Sequence, residues 1–338
     1  MSATAIEPAA GLEYDALMIR VRLASLLVAV VPVCAIGNSQ SDGGMELTTY
    51  QADGRVPIGE IYRATADLAK GGFWNVETVY VDRTLPIQVL STKQKGPAIW
   101  ILAGIHGEEP APANAVYENT GRLNDLAARN LPLVVFPLCN PIGYVRNWRY
   151  PDVEEYSESN PGHSVGDSDH LLLDKDGKPR TTGPSSAQAG ALTRKVLELA
   201  RDYPPVLCLD LHEDSLLEKG YLYSQGPRGA EDEAARSIIR KMTELTYPIM
   251  LSGKTRFGEA IVGGVVSGVN DGSIDELIAS ERVFVDGAVQ QGPSGKSVIV
   301  VETSAMKMPL KERVRVHSTI IGMAEELLRL AFQSGAPR

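Results

Sequence analysis

Unbroken apolar runs of four or more residues recur along the chain in AIWILAG (98–104), LPLVVFPLCN (131–140), PVLCLDLHED (205–214) and SVIVVETS (297–304). A strand with one wet face alternates apolar and polar residues, whereas an unbroken apolar run suits a strand covered on both faces. Helical patterns lie between these runs, at 112–129, in SSAQAGALTRKVLELAR (185–201), and in GAEDEAARSIIRKMTEL (229–245). A closing helix carries Val316, Ile320, Met323, Leu327 and Ala331 at helical spacing. Ser185 with Gln188 reads as the capping box of the 185–201 helix. Strands alternating with helices predict an α/β fold with a mixed, mostly parallel central sheet flanked by helices on both faces. WNVETVYVD and LPIQVLST do alternate, and predict an antiparallel strand pair at one edge.

The bulk numbers bound the rest. At 338 residues, 43% hydrophobic and 22% charged, the chain can build a sizeable core. A formal net charge of −9 argues against nucleic acid or an anionic membrane as a partner. Three cysteines, Cys34, Cys139 and Cys208, form no disulfide framework, and Cys139 and Cys208 read as buried free thiols. Residues 1–45 read as an N-terminal extension and 46–335 as one domain. Within the extension, 18–35 places Arg20 and Arg22 before an apolar stretch, the layout of a secretory signal and too short for a stable membrane span. The acidic residues upstream of Met18 make a poor signal start, so the expectation is a periplasmic or secreted protein if Met18 is the start, and a cytoplasmic one otherwise. Cys34 suggests a lipoprotein signal, but Val33 is bulky where that processing takes a small residue.

In sheets of this kind, ligands bind beyond the carboxyl ends of strands. Three of the apolar runs end in residues suited to a metal: His106 and Glu109 in HGEE, His212 in LHED, and Glu302 in VVETS. A spacing of three puts His106 and Glu109 on one face of a turn and leaves Glu108 pointing away. With His212 they make two imidazoles and one carboxylate, the ligand set of a catalytic zinc site, one ion per chain, whose fourth position is open to water. Zinc lowers the pKa of such water towards ~7, and a nearby carboxylate must carry its proton to the leaving group. Glu302 fits that task. Asp210, two residues before His212 and so on the same side of the strand, can orient a ligand imidazole from behind or can be an exposed strand-end carboxylate. His163 and His170, in the polar stretch 150–182, read as solvated, and His317 on the closing helix as structural.

The series HGEEP, NPIGY, DLHED and VVETS resembles the zinc carboxypeptidase superfamily, including its succinylglutamate desuccinylase and aspartoacylase branch, in order and rough spacing over residues 61–331. The resemblance implies a mixed eight-stranded sheet, zinc on His106, Glu109 and His212, and Glu302 as general base and acid. NPIGY looks like the family segment that precedes substrate-binding arginines, which brings Asn140 and Tyr144 in as substrate-binding candidates. The Asn-Arg pair that often follows is missing. RNWRYP offers Arg146 and Arg149 instead, with Arg149 the first choice to hold a carboxylate or an oxyanion through its planar fork. The function implied is hydrolysis of an amide next to a carboxylate-bearing residue, in a small peptide or an N-acyl amino acid.

Two rival readings remain open. GHSVG (162–166) matches the G-x-S-x-G of serine hydrolases, with Ser164 as nucleophile, but that elbow needs a strand before it and a helix after it. DVEEYSESNP upstream is too polar for a buried strand. A carboxypeptidase-like protein that binds zinc without turnover is the other. GGVVSG (263–268) is too irregular for a dinucleotide fingerprint and reads as a mobile loop over the site.

Overall fold

The protein is described from a computed structural model, which covers residues 48–154, 157 and 159–333. The signal-like segment 18–35, with Met18 and Cys34, lies outside the described residues. The described residues belong to the unit Leu47–Arg338.

The chain opens with α1 (Ile58–Lys70), β1 (Trp74–Asp82), β2 (Leu85–Thr92) and β3 (Ala98–Ala103). There follow α2 (Pro110–Glu118), α3 (Thr120–Ala128), β4 (Leu133–Phe136), α4 (Pro141–Arg146), α5 (Ala187–Asp202), β5 (Pro205–Asp214) and β6 (Tyr221–Ser224). After α6 (Glu233–Glu244) come β7 (Ser252–Lys254), β8 (Ala260–Val262), β9 (Val265–Ser267) and α7 (Ile274–Ala279). A hairpin of β10 (Arg282–Val285) and β11 (Ala288–Gln291) leads into β12 (Ser297–Ser304), α8 (Leu310–Gly322) and α9 (Ala324–Gln333).

One sheet runs in the order β1-β2-β4-β3-β5-β12-β6-β9-β8-β7. Its centre, β4-β3-β5-β12, is parallel, and β1-β2 forms the expected antiparallel edge. The count exceeds eight because β7 and β8, three residues each, extend the far edge. Every residue of β3 is buried, and its side chains alternate between two apolar layers. Ile99 and Ile101 face a layer with Ala115, Ile238, Ile320 and Leu327 from α2, α6, α8 and α9. Trp100 and Leu102 face Leu192 and Val196 of α5 and Leu277 of α7. Helices on both faces are thus what the unbroken apolar runs required. No described helix is long and apolar enough to cross a membrane.

Several local expectations are corrected. The helix expected over 112–129 is two, because Asn119 breaks it and its side-chain amide donates to the Ala115 carbonyl at 2.8 Å. The closing helix is also two, divided at Met323 after Gly322, whose carbonyl accepts from Arg122 at 2.8 Å. The cap of α5 is Ser186, not Ser185: Ser186 is extended and accepts from the Ala189 N–H at 3.0 Å, while Gln188 reaches Asp82 instead of back to the cap. GGVVSG is no mobile loop. Gly263 and Gly264, with φ of +60° and +87°, turn β8 into β9, and β9 joins the sheet beside β6.

Candidate metal centre

The carboxyl ends of β3, β5 and β12 meet in a cavity of about 670 Å³. Past β3 the chain turns at Gly104, in the left-handed region with φ of +66°. It then passes so close to α4 that a Cβ on Gly107 would lie 2.0 Å from the Gly143 carbonyl carbon. That approach leaves His106 on the cavity wall and Glu109 as the residue before α2. His106 Nδ1 is 2.7 Å from Glu109 Oε1, and His212 Nδ1, brought in by β5, is 3.1 Å from Glu109 Oε2. The imidazole centroids are 4.9 Å apart. One ligand atom from each of the three residues lies within 4.8 Å of the others, so His106, Glu109 and His212 can hold a metal ion. Two imidazole nitrogens and one carboxylate fit a tetrahedral divalent cation with one position open.

The neighbours of this cluster fix it in place. Asp210 is fully buried, not an exposed strand-end carboxylate, and stands 3.2 Å from His212 Nε2, leaving Nδ1 to face Glu109. Glu213, which the sequence reading passed over, donates its N–H to Glu109 at 3.0 Å. Its own carboxylate accepts from the Ala111 N–H at 2.9 Å and pairs with Arg313, anchoring the start of α2 to β5. Burial pushes the His106 imidazole down to about 3, with Arg149 adding to the effect, so its nitrogen is free to ligate at neutral pH. Burial opposes charge on His212 as well, but Asp210 and Glu109 outweigh it and raise its pKa well above the usual value. Ligation of a cation by His212 would release a proton from the ring.

Glu302 sits on β12 in register with His212 on β5 and lines the same cavity. Its Oε2 is buried with no hydrogen-bond partner. Burial, reinforced by Glu109 and Asp214, pushes its carboxyl up to about 8 against the pull of His212 and Arg149. A carboxyl with that affinity can take up and release a proton near neutral pH.

Arg149 reaches the cavity wall. Its Nη1 donates to Glu108 Oε1 at 2.7 Å and to Glu109 Oε1 at 3.2 Å, and Nε contacts the Tyr150 hydroxyl at 3.4 Å. Nη2 makes no hydrogen bond among the described residues. Glu108 therefore does not point away, since it turns to Arg149. The other candidates from this segment are not brought to the cavity. Arg146 stacks on Trp148, 4.4 Å from the ring centroid, outside the cavity wall. Tyr144 is fully buried, its hydroxyl donating to the Val56 carbonyl at 2.7 Å and contacting Asn114 at 2.9 Å. Asn140 caps α4 by accepting from the Gly143 N–H at 2.8 Å, and donates to the Arg149 carbonyl at 3.1 Å. Arg146, Tyr144 and Asn140, expected to bind substrate, therefore do not line the cavity; Tyr144 is packed within the scaffold, and Asn140 holds the backbone of Arg149.

His163 is exposed at the cavity edge and held by Asp152, Nδ1 to Oδ2 at 2.5 Å, while His170 is half-buried and does not line the cavity. His317 is fully buried against Thr303, at 3.0 Å. Cys139 and Cys208 are free and buried. Ser164 lies in a turn with neither strand before it nor helix after it, and its hydroxyl accepts from the Gly166 N–H at 3.2 Å. No nucleophile elbow is formed there.

No family model matches the chain, and no curated protein matches it. Solved structures do. A candidate metallopeptidase of Shewanella baltica OS155 superposes with a TM-score of 0.63 at 19% identity, over 81% of this chain and 92% of that one. Bovine thrombin-activatable fibrinolysis inhibitor, solved in complex with tick carboxypeptidase inhibitor, gives 0.58 at 13%, over 83% and 99%. A metallo-carboxypeptidase of Burkholderia cenocepacia gives 0.52 at 11%, over 83% and 70%. The chain has the fold of the metallo-carboxypeptidases. At these identities the likeness is one of architecture, and what the protein does has to be argued from its own side chains.

Proposed function

We propose that the protein is a zinc-dependent hydrolase that cleaves an amide bond next to a carboxylate-bearing residue. The observation that carries this reading is the convergence of His106, Glu109 and His212 with Glu302 in one cavity. His106, Glu109 and His212 would hold the divalent cation, which would supply Lewis acidity to the scissile carbonyl and to water near neutral pH. Glu302 takes the proton of the attacking water on its free carboxylate oxygen and passes it to the departing amine. Arg149, with Nη2 unengaged among the described residues and a fork geometry, holds the substrate carboxylate or the developing oxyanion. Glu108 and Glu109 keep its guanidinium aimed at that place. Asp210 fixes the ring of His212, and Asn140 fixes the backbone of Arg149.

The test is a panel of peptides and N-acyl amino acids assayed with the protein as purified, after chelation, and after zinc is restored. Hydrolysis that disappears with chelator and returns with zinc is expected. Turnover that survives chelation and yields to a serine-directed phosphonate would refute the proposal. Stoichiometric zinc with no hydrolysis across the panel would make the protein a binding protein.

A further inference from the structure

Beside Glu302 the cavity continues into a pocket whose wall is set by the pairing of β12 with β6. Val300 pairs with Tyr223 and Glu302 with Tyr221, so Val300 and Glu302 face the same side two residues apart, roughly 7 Å along the strand. Tyr221, Tyr223 and Val300 belong to one apolar cluster and also line the cavity. At the end near Glu302 the wall also carries Asp214, whose Oδ2 accepts the Tyr221 hydroxyl at 2.9 Å; at the Tyr223 end it carries Glu259. Glu259 Oε2 accepts the Tyr223 hydroxyl at 3.0 Å and the Thr255 hydroxyl at 2.6 Å. The turn that carries it is tied by the Thr255 N–H donating to the Glu259 carbonyl at 3.0 Å. Glu259 forms no ion pair among the described residues; the nearby Arg256 stacks instead on Phe257, 4.6 Å from its ring centroid. Two hydroxyls thus orient an acceptor whose second oxygen has no hydrogen-bond partner among the described residues.

Resting on the hydrolase reading above, we propose that this pocket selects a substrate whose released residue carries a basic side chain, with Glu259 as the specificity-determining group. An aliphatic stem lies along Val300 and the tyrosine rings, and its ammonium or guanidinium end meets the free oxygen of Glu259. Tyr223, the partner of Glu259, stands two residues from Tyr221, the neighbour of Glu302, roughly 7 Å along the strand, which is the span of a side chain several methylenes long. An acidic side chain meets two carboxylates there, Glu302 and Glu259, and is excluded by like charge.

The experiment compares acetyl-alanyl-lysine, acetyl-alanyl-norleucine and acetyl-alanyl-glutamate with the zinc-loaded protein. A charge-assisted hydrogen bond predicts kcat/KM for the lysyl substrate about 10- to 100-fold above the norleucyl one, with the glutamyl one lowest. Glu259→Gln, which keeps the shape and the hydroxyl contacts, is expected to reduce the lysyl-to-norleucyl ratio to about 1, and Glu259→Arg to favour the glutamyl substrate. Hydrolysis with equal lysyl and norleucyl values in the native protein, or an unchanged ratio in Glu259→Gln, overturns the pocket assignment and leaves the hydrolase reading standing. Should none of the three be hydrolysed, the wider panel above decides the hydrolase reading, and calorimetric binding of the same peptides decides the pocket alone. Tighter lysyl binding that Glu259→Gln abolishes supports it, and equal binding of the lysyl and norleucyl peptides overturns it.

Discussion

Glu302 and Arg149 are the two side chains on which turnover should depend without the metal depending on them. Glu302 is not within the set that can gather the ion, and its carboxyl is poised for proton transfer by burial. Glu302→Gln is therefore expected to keep stoichiometric zinc by elemental analysis and to lose about 10²- to 10⁴-fold in kcat. Full activity in that variant would remove Glu302 from the chemistry. His212→Ala should behave differently, losing the metal itself together with activity. Arg149→Lys keeps the charge and loses the fork. A fall of about 10²- to 10³-fold in kcat/KM is expected, read against an unchanged zinc content.

At the scale of elements, the site depends on how tightly the turn after β3 is pressed against α4. The Gly107 Cα faces the Gly143 backbone with no room for a methyl group. Gly107→Ala should shift that turn, lower stability by about 1–3 kcal/mol, and weaken zinc binding. Thermal unfolding and metal titration measure the two effects. The buried α8 histidine gives a pH signature. Burial pushes the His317 imidazole down to about 3, with Arg313 and His212 adding to the effect. Its unfolded value is near 6.5. Between those values the unfolded chain binds a proton that the folded chain does not, so stability is full above about pH 6.5 and falls as pH drops towards 3. The slope from this group is roughly 1 kcal/mol per pH unit. His317→Gln should flatten it, as read from urea unfolding at several pH values.

For the molecule as a whole, the candidate ligands come from segments far apart in the chain, residues 106–109 and 212, and the proposed general base from residue 302. An ion that ties together separate strands binds the folded state far better than the unfolded one. Zinc at about 100 times its Kd should stabilise folding by about 2.7 kcal/mol. The melting temperature should rise with zinc and fall with chelator, and a melting temperature indifferent to both would contradict the site. The fold was legible wherever burial on two faces left unbroken apolar runs, as in β3, β5 and β12. It was illegible where elements are short and half-exposed: β7 and β8 have three residues each, and Gly263 and Gly264 resemble a loop until their turn is seen to pair two strands.

The site divides in the same way. HGEE, LHED and VVETS place charge directly after apolar strands, and that local contradiction is visible in one dimension because burying charge without a purpose is costly. The amino-acid order therefore determined the ligand and base candidates and the kind of sheet that would gather them. Only the tertiary structure put Arg149 on the cavity wall and Arg146, Asn140 and Tyr144 off it, and brought in Glu213 and Glu259. Those assignments depend on where a side chain points and what lies across from it, and contacts between residues dozens of positions apart leave no local pattern in the chain.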